Sequence, residues 1–255
     1  MPPEPRYLRR SSLERLLDKL EQPDARVTWT AYVSPLTPLS SLGPGYKDPP
    51  LPPELEEVTG VIGESETGAA VFWGPSGGHV VLPPFPLSER STHRGMQAAP
   101  LRALLKRELR LGVVLVRLGG YSIGVFQGER LLVSKTGQRY VKGGHRAGGS
   151  SAARFARIRE RQARELFDEV CEVVRTRLSP YEATLDYVVL GGARVTLTDF
   201  VERCQYMQRL APKTLGRILD VREPRLAVLE AAPELIWTSR VYVLQPVGGE
   251  DGTMA

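Results

Sequence analysis

The sequence predicts an α+β or mixed α/β fold, and three patterns in the second half of the chain support this class. Short β-rich segments at 111–118, 121–126 and 130–135 are separated by tight glycine-containing turns, which is typical of an antiparallel meander. Residues 151–178 carry apolar side chains at helical spacing, and a short apolar strand at 187–190 follows. A meander, a long helix and a further strand indicate helices packed on a sheet around one core.

The first hundred residues contain weaker patterns of helix and strand. Leucines at helical spacing predict a helix within 7–21, a run rich in Thr, Tyr, Trp and Val predicts a strand at 27–33, and the pattern of 70–82 predicts a hairpin. Seven prolines in segment 35–53 predict a loop or linker, because proline removes a backbone donor and fixes φ. We therefore expect an N-terminal α+β extension at 1–100 that contains a Pro-rich linker.

The remaining segments complete a second predicted domain. Further helices are expected at 101–109, 198–210 and 213–220, and a final strand at 237–244. The core stripe predicted for the long helix consists of Phe155, Ile158, Leu166, Val170, Val173 and Val174. Residues 101–245 are thus expected to form one domain, and 246–255 a flexible tail.

Composition and termini describe an ordinary globular protein. Of the 255 residues, 42% are apolar and 25% are charged, as in soluble domains. Cys171 and Cys204 are too few for a disulfide framework and lack the paired spacing of a zinc site, and two thiols indicate a reducing compartment. The N-terminus has no signal-peptide pattern, and no apolar run approaches the roughly 20 residues of a membrane helix. We therefore expect a cytoplasmic protein with no membrane partner.

Positive charge is concentrated in one segment of the chain. The formal net charge of the whole protein is +5. Residues 135–164 contain a single acid, Glu160, and nine basic residues. These are Lys135, Arg139, Lys142, Arg146, Arg154, Arg157, Arg159, Arg161 and Arg164. A local excess of this kind predicts a specific anion-binding surface rather than general basicity.

Within this segment a glycine-rich loop precedes an arginine-bearing helix. Spacings of 3, 4 and 3 place four arginines on one face of the predicted helix, Arg154, Arg157, Arg161 and Arg164. Guanidinium groups match phosphate geometry, and the glycines let backbone N–H groups approach an anion closely. Alternatively, the four arginines form a solvated face of the helix and bind no ligand. Four arginines on one ridge beside a glycine loop favour nucleic acid.

A family resemblance rests on this loop and helix. Residues 142–159, KGGHRAGGSSAARFARIR, resemble the middle domain of class I peptide release factors from eukaryotes and archaea, in which a Gly-Gly-Gln loop precedes Ser-Ala-x-Arg-Phe-x-Arg-x-Arg. The matching positions are Gly148, Gly149, Ser151, Ala152, Arg154, Phe155, Arg157 and Arg159. Segment 115–141 resembles the meander of release-factor-like peptidyl-tRNA hydrolases, and LDYVVLGG at 185–192 resembles the strand after the long helix in both groups.

The resemblance implies a fold and an activity. The implied fold is a ribonuclease-H-like α/β domain with a mixed sheet. The implied reaction is hydrolysis of the ester between a nascent peptide and tRNA, with water as the nucleophile. The loop glutamine positions that water in the family, and its backbone N–H stabilises the leaving 3′-oxygen. The implied partners are the large ribosomal subunit, through its rRNA, and peptidyl-tRNA. DNA and cofactors are not expected.

The sequence departs from the family pattern at the loop glutamine. In the Gly-Gly-Gln register this position is Ser150, and in the Gly-Ser-Gln register of the quality-control relatives it is Ser151. A serine keeps the backbone N–H and has a hydroxyl that can hold a water, although it reaches less far than glutamine. Gln138, at the start of the loop, is a second candidate for positioning the water. Gln162 lies on the predicted core stripe and is interpreted as structural.

The candidate site residues form two groups. The catalytic candidates are Gly148, Gly149, Ser150, Ser151 and Gln138. The RNA-binding candidates are Lys142, His145, Arg146, Arg154, Arg157, Arg161 and Arg164. No metal site is expected, because the release-factor group lacks one, so Asp186, Asp199 and Glu202 are interpreted as surface acids.

Three functions remain open at this point. The first is a peptidyl-tRNA hydrolase that rescues stalled large-subunit complexes, with Phe155 and Ile158 anchoring the helix to the sheet. The second is a catalytically silent factor that binds the ribosome or tRNA, because the loop glutamine is replaced. The third is a nuclease that uses the sheet of the fold.

Overall fold

The chain divides into two compact units, and the first is built from both ends of the chain. The computed structural model describes residues 3–38, 52–88, 90–141 and 150–245. The first unit comprises the described residues up to Arg107 together with those from Trp237 onward, and the second covers Glu108–Ile236. The expected domain of residues 101–245 differs from this division at both boundaries.

The described part of the first unit contains a six-stranded antiparallel sheet. Its strands are β1 (Arg6–Leu8), β2 (Trp29–Val33), β3 (Ala69–Gly74), β4 (Gly77–Leu82), β5 (Ser91–Arg94) and β11 (Ser239–Leu244), in the order β1-β11-β4-β3-β2-β5. Its helices are α1 (Arg10–Leu20), α2 (Pro53–Gly63) and α3 (Ala99–Leu105), with a 3-10 turn at Pro23–Ala25. Leu55, Val58 and Ile62 of α2 form a buried cluster with residues of the sheet.

The second unit is a mixed sheet with helices. Its strands are β6 (Arg110–Arg117), β7 (Gly120–Gln127), β8 (Arg130–Gln138), β9 (Tyr187–Gly192) and β10 (Thr214–Leu219), in the order β10-β9-β6-β7-β8. Its helices are α4 (Ser150–Leu178), α5 (Arg194–Arg203), α6 (Gln205–Arg209), α7 (Leu226–Glu230) and α8 (Ala232–Ile236), with 3-10 turns at Ser179–Thr184 and Ala211–Lys213. The pairs β6–β7 and β7–β8 are antiparallel, whereas β9 runs parallel to both β6 and β10. The predicted mixed α/β class and the meander are confirmed.

The core of the second unit lies between α4 and the sheet. The helix contributes Leu166, Phe167, Val170, Val174 and Leu178, all buried, and β6 and β7 contribute Val114, Val116, Tyr121, Ile123 and Val125. Burying one such aliphatic side chain stabilises a fold by about 1.5–3 kcal/mol. The four turns at the C-terminal end of α4 therefore hold the helix on the sheet.

Two of the predicted helices differ from the structure. The helix expected at 213–220 is wrong, because Thr214–Leu219 is strand β10, whose Ile218 pairs with Leu190 of β9. Pairing with a neighbouring strand overrides the weak local pattern of so short a segment. The strand expected at 237–244 is confirmed, but it pairs with β4 in the first sheet. The helix expected at 101–109 ends at Leu105.

The two cysteines are not free thiols. Cys171 on α4 and Cys204, between α5 and α6, form a disulfide with a Cα–Cα distance of 5.5 Å. The prediction of two thiols is therefore wrong. Their separation of 33 residues contains no pattern that reveals the pairing, because α4 and α5 meet only through the fold. The disulfide ties α4 to the helices that follow β9.

The end of β9 depends on a glycine. Gly192 has φ +139°, a conformation that L side chains rarely adopt, and a Cβ at this position would lie 2.0 Å from the carbonyl oxygen of Val116. The residue pairs with Val116 on β6, so the Cβ would clash with the backbone of the neighbouring strand. Only glycine fits both the backbone conformation and the space.

We expect Gly192→Ala to lower the free energy of unfolding of the second unit by about 2–3 kcal/mol. Urea denaturation followed by far-UV circular dichroism measures the loss. Gly128→Ala is the matched control, because Gly128 also has positive φ, at +60°, but has open space around it; its expected loss is about 1 kcal/mol. All three tryptophans lie in the first unit, so their fluorescence monitors that unit. If Gly192→Ala and Gly128→Ala lower the free energy of unfolding equally, the clash of a Cβ with the Val116 carbonyl oxygen does not contribute.

Candidate functional site

The described part of the expected site consists of the two stems of the loop. Lys142, His145, Arg146, Gly148 and Gly149 lie outside the described residues. Ser150 and Ser151 begin α4, and only their backbone belongs to the described part. The first stem is the end of β8 as far as Val141, and the second stem is α4. These two stems set the positions of the chain on either side of residues 142–149.

One arginine connects the two stems. Arg139, directly after β8, donates from Nη2 to Glu165 Oε2 at 2.8 Å and from Nη1 to Glu169 Oε2 at 3.2 Å. The backbone N–H of Arg139 donates to the carbonyl oxygen of Gly119 at 3.1 Å. Hydrogen bonds to Glu165 and Glu169 raise the pKa of the Arg139 guanidinium. The strand that enters the loop is thereby bonded to the helix that follows it.

This connection continues into the sheet through Tyr121 on β7. The Tyr121 hydroxyl donates to Glu169 Oε1 at 2.9 Å. Burial and, to a lesser extent, the bond to Glu169 raise the pKa of Tyr121 to about 12. A Cβ on Gly137 would lie 2.3 Å from Cζ of this ring, so glycine lets β8 pass over the tyrosine. We call Tyr121, Arg139, Glu165 and Glu169 the stem clamp.

No pattern in the sequence indicates the stem clamp. The basic segment 135–164 ends one residue before Glu165, the first glutamate of the clamp. Tyr121 reads as an ordinary strand residue, and Arg139 as one basic residue among nine. Only the antiparallel pairing of β7 with β8, together with the packing of α4 on β7, brings the four side chains together.

The N-terminal half of α4 stands clear of the core. The first fully buried residue is Leu166, and residues 153–157 are all exposed. The segment from Ser150 to Glu165 spans about 24 Å at the rise of an α-helix. Phe155 is 39% exposed and Ile158 is partly exposed. The prediction that these two residues belong to the core stripe and anchor the helix to the sheet is therefore wrong, because α4 packs against the core cluster from Ala163 onward and neither residue belongs to it.

The arginine ridge forms as a geometric feature of this projecting segment. Arg154, Arg157 and Arg161 line a groove of about 520 Å³ together with Ala153 and Ile158. Arg161 Nε lies 3.9 Å from Glu165 Oε1. Arg164 pairs with Glu160, one helical turn earlier. Within the described ranges, neither Arg154 nor Arg157 has a carboxylate partner. The uncompensated positive charge therefore increases towards the N-terminus of α4, where the loop joins it.

The two glutamines considered from the sequence differ in their surroundings. Gln138 is the last residue of β8, opposite Gly120 of β7, and its side chain is exposed. Gln162 is partly buried on α4 and has interaction partners. Gln138 therefore remains accessible at the edge of the sheet from which the loop leaves, and it lies next to Arg139 of the stem clamp.

The acids considered for a metal site do not converge. Asp186 Oδ2 accepts the backbone N–H of Arg110 at 2.7 Å, a bond that fixes the start of β6. Asp199 and Glu202 are exposed on α5. Over residues 3–38, 52–88, 90–141 and 150–245, no group of three or more His, Cys, Asp or Glu side chains could hold a metal ion. In the same ranges, no helix combines the length and the apolar character that crossing a membrane requires.

We expect Arg139→Gln to loosen both stems of the loop. Arg139, Glu165 and Glu169 are all partly exposed to solvent, so their ion pairs contribute little and the expected effect is modest. Amide hydrogen exchange at 136–141 and 165–170 is expected to be faster by roughly two- to fivefold. Arg203→Gln is the matched control, since Arg203 is also 41% exposed and forms two hydrogen bonds to Asp168 of α4, but does not bond to the first stem. The same increase at 136–141 in both variants would show that the stem clamp has no local effect.

The stem clamp also predicts a pH dependence at high pH. The folded-state pKa of Tyr121, about 12, lies above its ordinary value of 10.0, so its contribution to stability is complete below pH 10 and is lost as the pH rises towards 12. The urea midpoint of the wild type is therefore expected to fall more than that of Tyr121→Phe between pH about 9 and about 11.5. Tyr206, whose pKa is also raised to about 12, is present in both proteins and cancels. If the urea midpoints of the wild type and Tyr121→Phe fall equally over this pH range, the raised pKa of Tyr121 does not contribute to stability.

Part of the chain is similar to known release factors. Residues 109–242 match the model of the family described as "Actinobacteria/chloroflexi VLRF1 release factor". Peptide chain release factor subunit 1 of Archaeoglobus fulgidus is 30% identical over 138 residues, which are 54% of this chain and 34% of the relative. The same factor of Pyrococcus abyssi is 30% identical over 145 residues, 55% of this chain and 35% of the relative. The chain thus spans about a third of the length of these relatives.

One solved structure provides a further comparison. A crystal structure of an archaeal translation termination factor, aRF1, is 20% identical to this chain, covers 90% of it and is itself covered to 73%, with a TM-score of 0.39. The family assignment depends on the family match instead, which extends over more than half of the chain and includes β6 to β10, the long helix and both stems of the loop. The chain belongs to the Actinobacteria/chloroflexi VLRF1 release factor family.

Proposed function

We propose that the protein is a peptidyl-tRNA hydrolase that rescues stalled large ribosomal subunits in the cytoplasm. The observation that carries the proposal is the family match over residues 109–242, which includes the loop and both its stems. The projecting half of α4 supports it, because a segment of about 24 Å with uncompensated arginines suits a narrow site lined by RNA phosphates. The proposed partners are peptidyl-tRNA and large-subunit rRNA.

The proposed reaction is the hydrolysis of one ester. The oxygen of a water molecule attacks the carbonyl carbon of the nascent peptide, and the bond from that carbon to the ribose 3′-oxygen breaks. The 3′-oxygen takes up a proton, so the products are a peptide with a free carboxyl group and a tRNA with a free 3′-hydroxyl. No oxidant, metal or cofactor is needed for this balance.

The residues of the loop would act by positioning rather than as nucleophiles. The backbone N–H groups at Gly149 and Ser150 would donate to the oxygens that gain charge, and the Ser150 or Ser151 hydroxyl would hold the water. Gln138 at the edge of the first stem is a further candidate for the water. Arg154, Arg157 and Arg161, which line one groove, would bind phosphates of tRNA or rRNA through their guanidinium groups.

A second function is favoured by one specific observation, the absence of the family glutamine from the loop. Serine stands at position 150, and serine follows at 151. In this alternative the protein binds the ribosome or tRNA through the same arginines but leaves the ester intact. The two functions share their partners and differ only in the chemical step.

We expect the purified protein to release peptide from large ribosomal subunits that carry peptidyl-tRNA, and Ser150→Ala to slow single-turnover release by about tenfold to 10²-fold. Ser151→Ala and Gln138→Ala test the other two candidates for the water. Arg175→Gln is the control, because Arg175 pairs with Glu172 near the C-terminal end of α4, far from the loop. If the wild type leaves the ester intact and Ser150→Gln releases peptide, the silent factor is correct and the hydrolase proposal is not.

A further inference from the structure

A second group of arginines lies at the edge of the sheet from which the loop leaves. Because β6, β9 and β10 run parallel, their carboxyl ends meet at one edge. Arg117 is the last residue of β6, Arg194 is the first residue of α5 after β9, and Arg222 follows β10. These three arginines come from three separate segments and lie outside the basic segment 135–164.

Close contacts bring the three segments together at this edge. Cδ of Arg117 lies 3.6 Å from the position that a Cβ would take on Gly192, two residues before Arg194. Cγ2 of Val221 lies 3.1 Å from the same position on Gly191. Arg117 therefore extends over the end of β9, and the residues that precede Arg222 lie against the same strand end. We call Arg117, Arg194 and Arg222 the edge arginines.

The charges of the edge arginines are not compensated by the protein itself. Among the described residues none of the three has an ion-pair partner. Other arginines of this unit do: Arg203 pairs with Asp168, Arg209 with Glu182 and Arg225 with Glu223. Asp220 is the exposed acid at this edge outside an ion pair. The edge therefore keeps a positive charge, and Arg194 and Arg222 are exposed to solvent.

The edge arginines lie on the side of the unit that presents the loop. Gln138, the last residue of β8, pairs with Gly120, and the Arg139 N–H bonds to Gly119 in the turn that follows Arg117. Pro224 lies against Gly120, with its Cγ 3.6 Å from the position of a Cβ there. The edge arginines and the groove arginines of α4 therefore form two separate positive surfaces, with the neutralised Arg139 of the stem clamp between them.

We propose that the edge arginines bind backbone phosphates of structured RNA, as a second contact surface separate from the groove on α4. The choice of RNA rests on the proposed function, because this edge borders the loop that would reach peptidyl-tRNA. It also rests on charge complementarity, since planar guanidinium groups suit phosphate oxygens. Leu118, Tyr140 and Val195 are exposed apolar side chains in the segments at this edge, and the test therefore includes a protein partner as an outcome that overturns the proposal.

The test measures how salt weakens binding of the full chain to isolated large ribosomal subunits. Each phosphate contact contributes about one unit to the slope of log affinity against log salt concentration. The combined variant Arg117→Gln, Arg194→Gln and Arg222→Gln is expected to reduce that slope by about 2–3 and to weaken binding by tenfold or more. The corresponding Lys variant keeps the charges and is expected to retain most of the slope.

The control is a variant with the same change in net charge. Arg175→Gln, Arg203→Gln and Arg209→Gln remove three arginines that are already paired within the protein. This variant is expected to keep the wild-type slope, and circular dichroism checks that both combined variants are folded. An equal loss of slope in both would overturn the proposal, because overall charge would then explain the effect.

Two further outcomes separate the possible partners and the two proposals. If the edge variant binds protein-free large-subunit rRNA as the wild type does but binds whole subunits weakly, the partner is a ribosomal protein and the RNA proposal is overturned. If the slope falls as expected while the wild type fails to release peptide, the edge surface stands and the hydrolase proposal falls. Release that remains normal in the edge variant at saturating protein agrees with a role in binding alone.

Discussion

The burial of the C-terminal half of α4 against the mixed sheet is the constraint on which the second unit depends. Leu166, Val170 and Val174 are completely shielded from solvent, and they fix both the position and the direction of the helix. Because an α-helix is stiff over a few turns, the direction of its first sixteen residues follows from the packing of its last thirteen. One element thus serves as part of the core at one end and as a projecting arm at the other.

Charge is arranged around this arm in a graded way. Near the sheet, Glu165 and Glu169 neutralise Arg139 and bind Tyr121, so the base of the arm is held by charge-assisted hydrogen bonds. Further out, Arg164 and Arg161 have acidic neighbours on the same helix. Beyond them the arginines have no such neighbours in the described part of the chain. Protein carboxylates therefore stabilise the base, while the outer part retains its positive charge for an external anion.

The sequence predicted those elements whose signal is local. Glycine turns between β-rich runs identified β6, β7 and β8, and periodicity identified α4 within one residue of its observed start. Periodicity could not show which turns of α4 meet the sheet, so Phe155 and Ile158 were misassigned: an exposed apolar residue at helical spacing looks the same as a buried one. The short segment Thr214–Leu219 was misassigned because its partner strand is distant in sequence.

The features of the site that sequence could not predict are all products of tertiary structure. The stem clamp joins residues on two strands and a helix, and the disulfide joins cysteines 33 positions apart. The edge arginines are spread over more than a hundred residues and form a group only because parallel strands end together. By contrast, the arginine ridge depends on helical spacing alone, and for this reason its geometry could be read directly from the sequence.

The position of β11 has a consequence for the order in which the protein can assemble. This strand lies between β1 and β4, in the interior of the first sheet, although it is made after the whole second unit. A nascent chain therefore cannot complete the first sheet until synthesis has passed Leu244, and β1 has no strand to pair with before then. The second unit is contiguous in sequence and its sheet does not include β11, so it can reach its native form before the first sheet is complete.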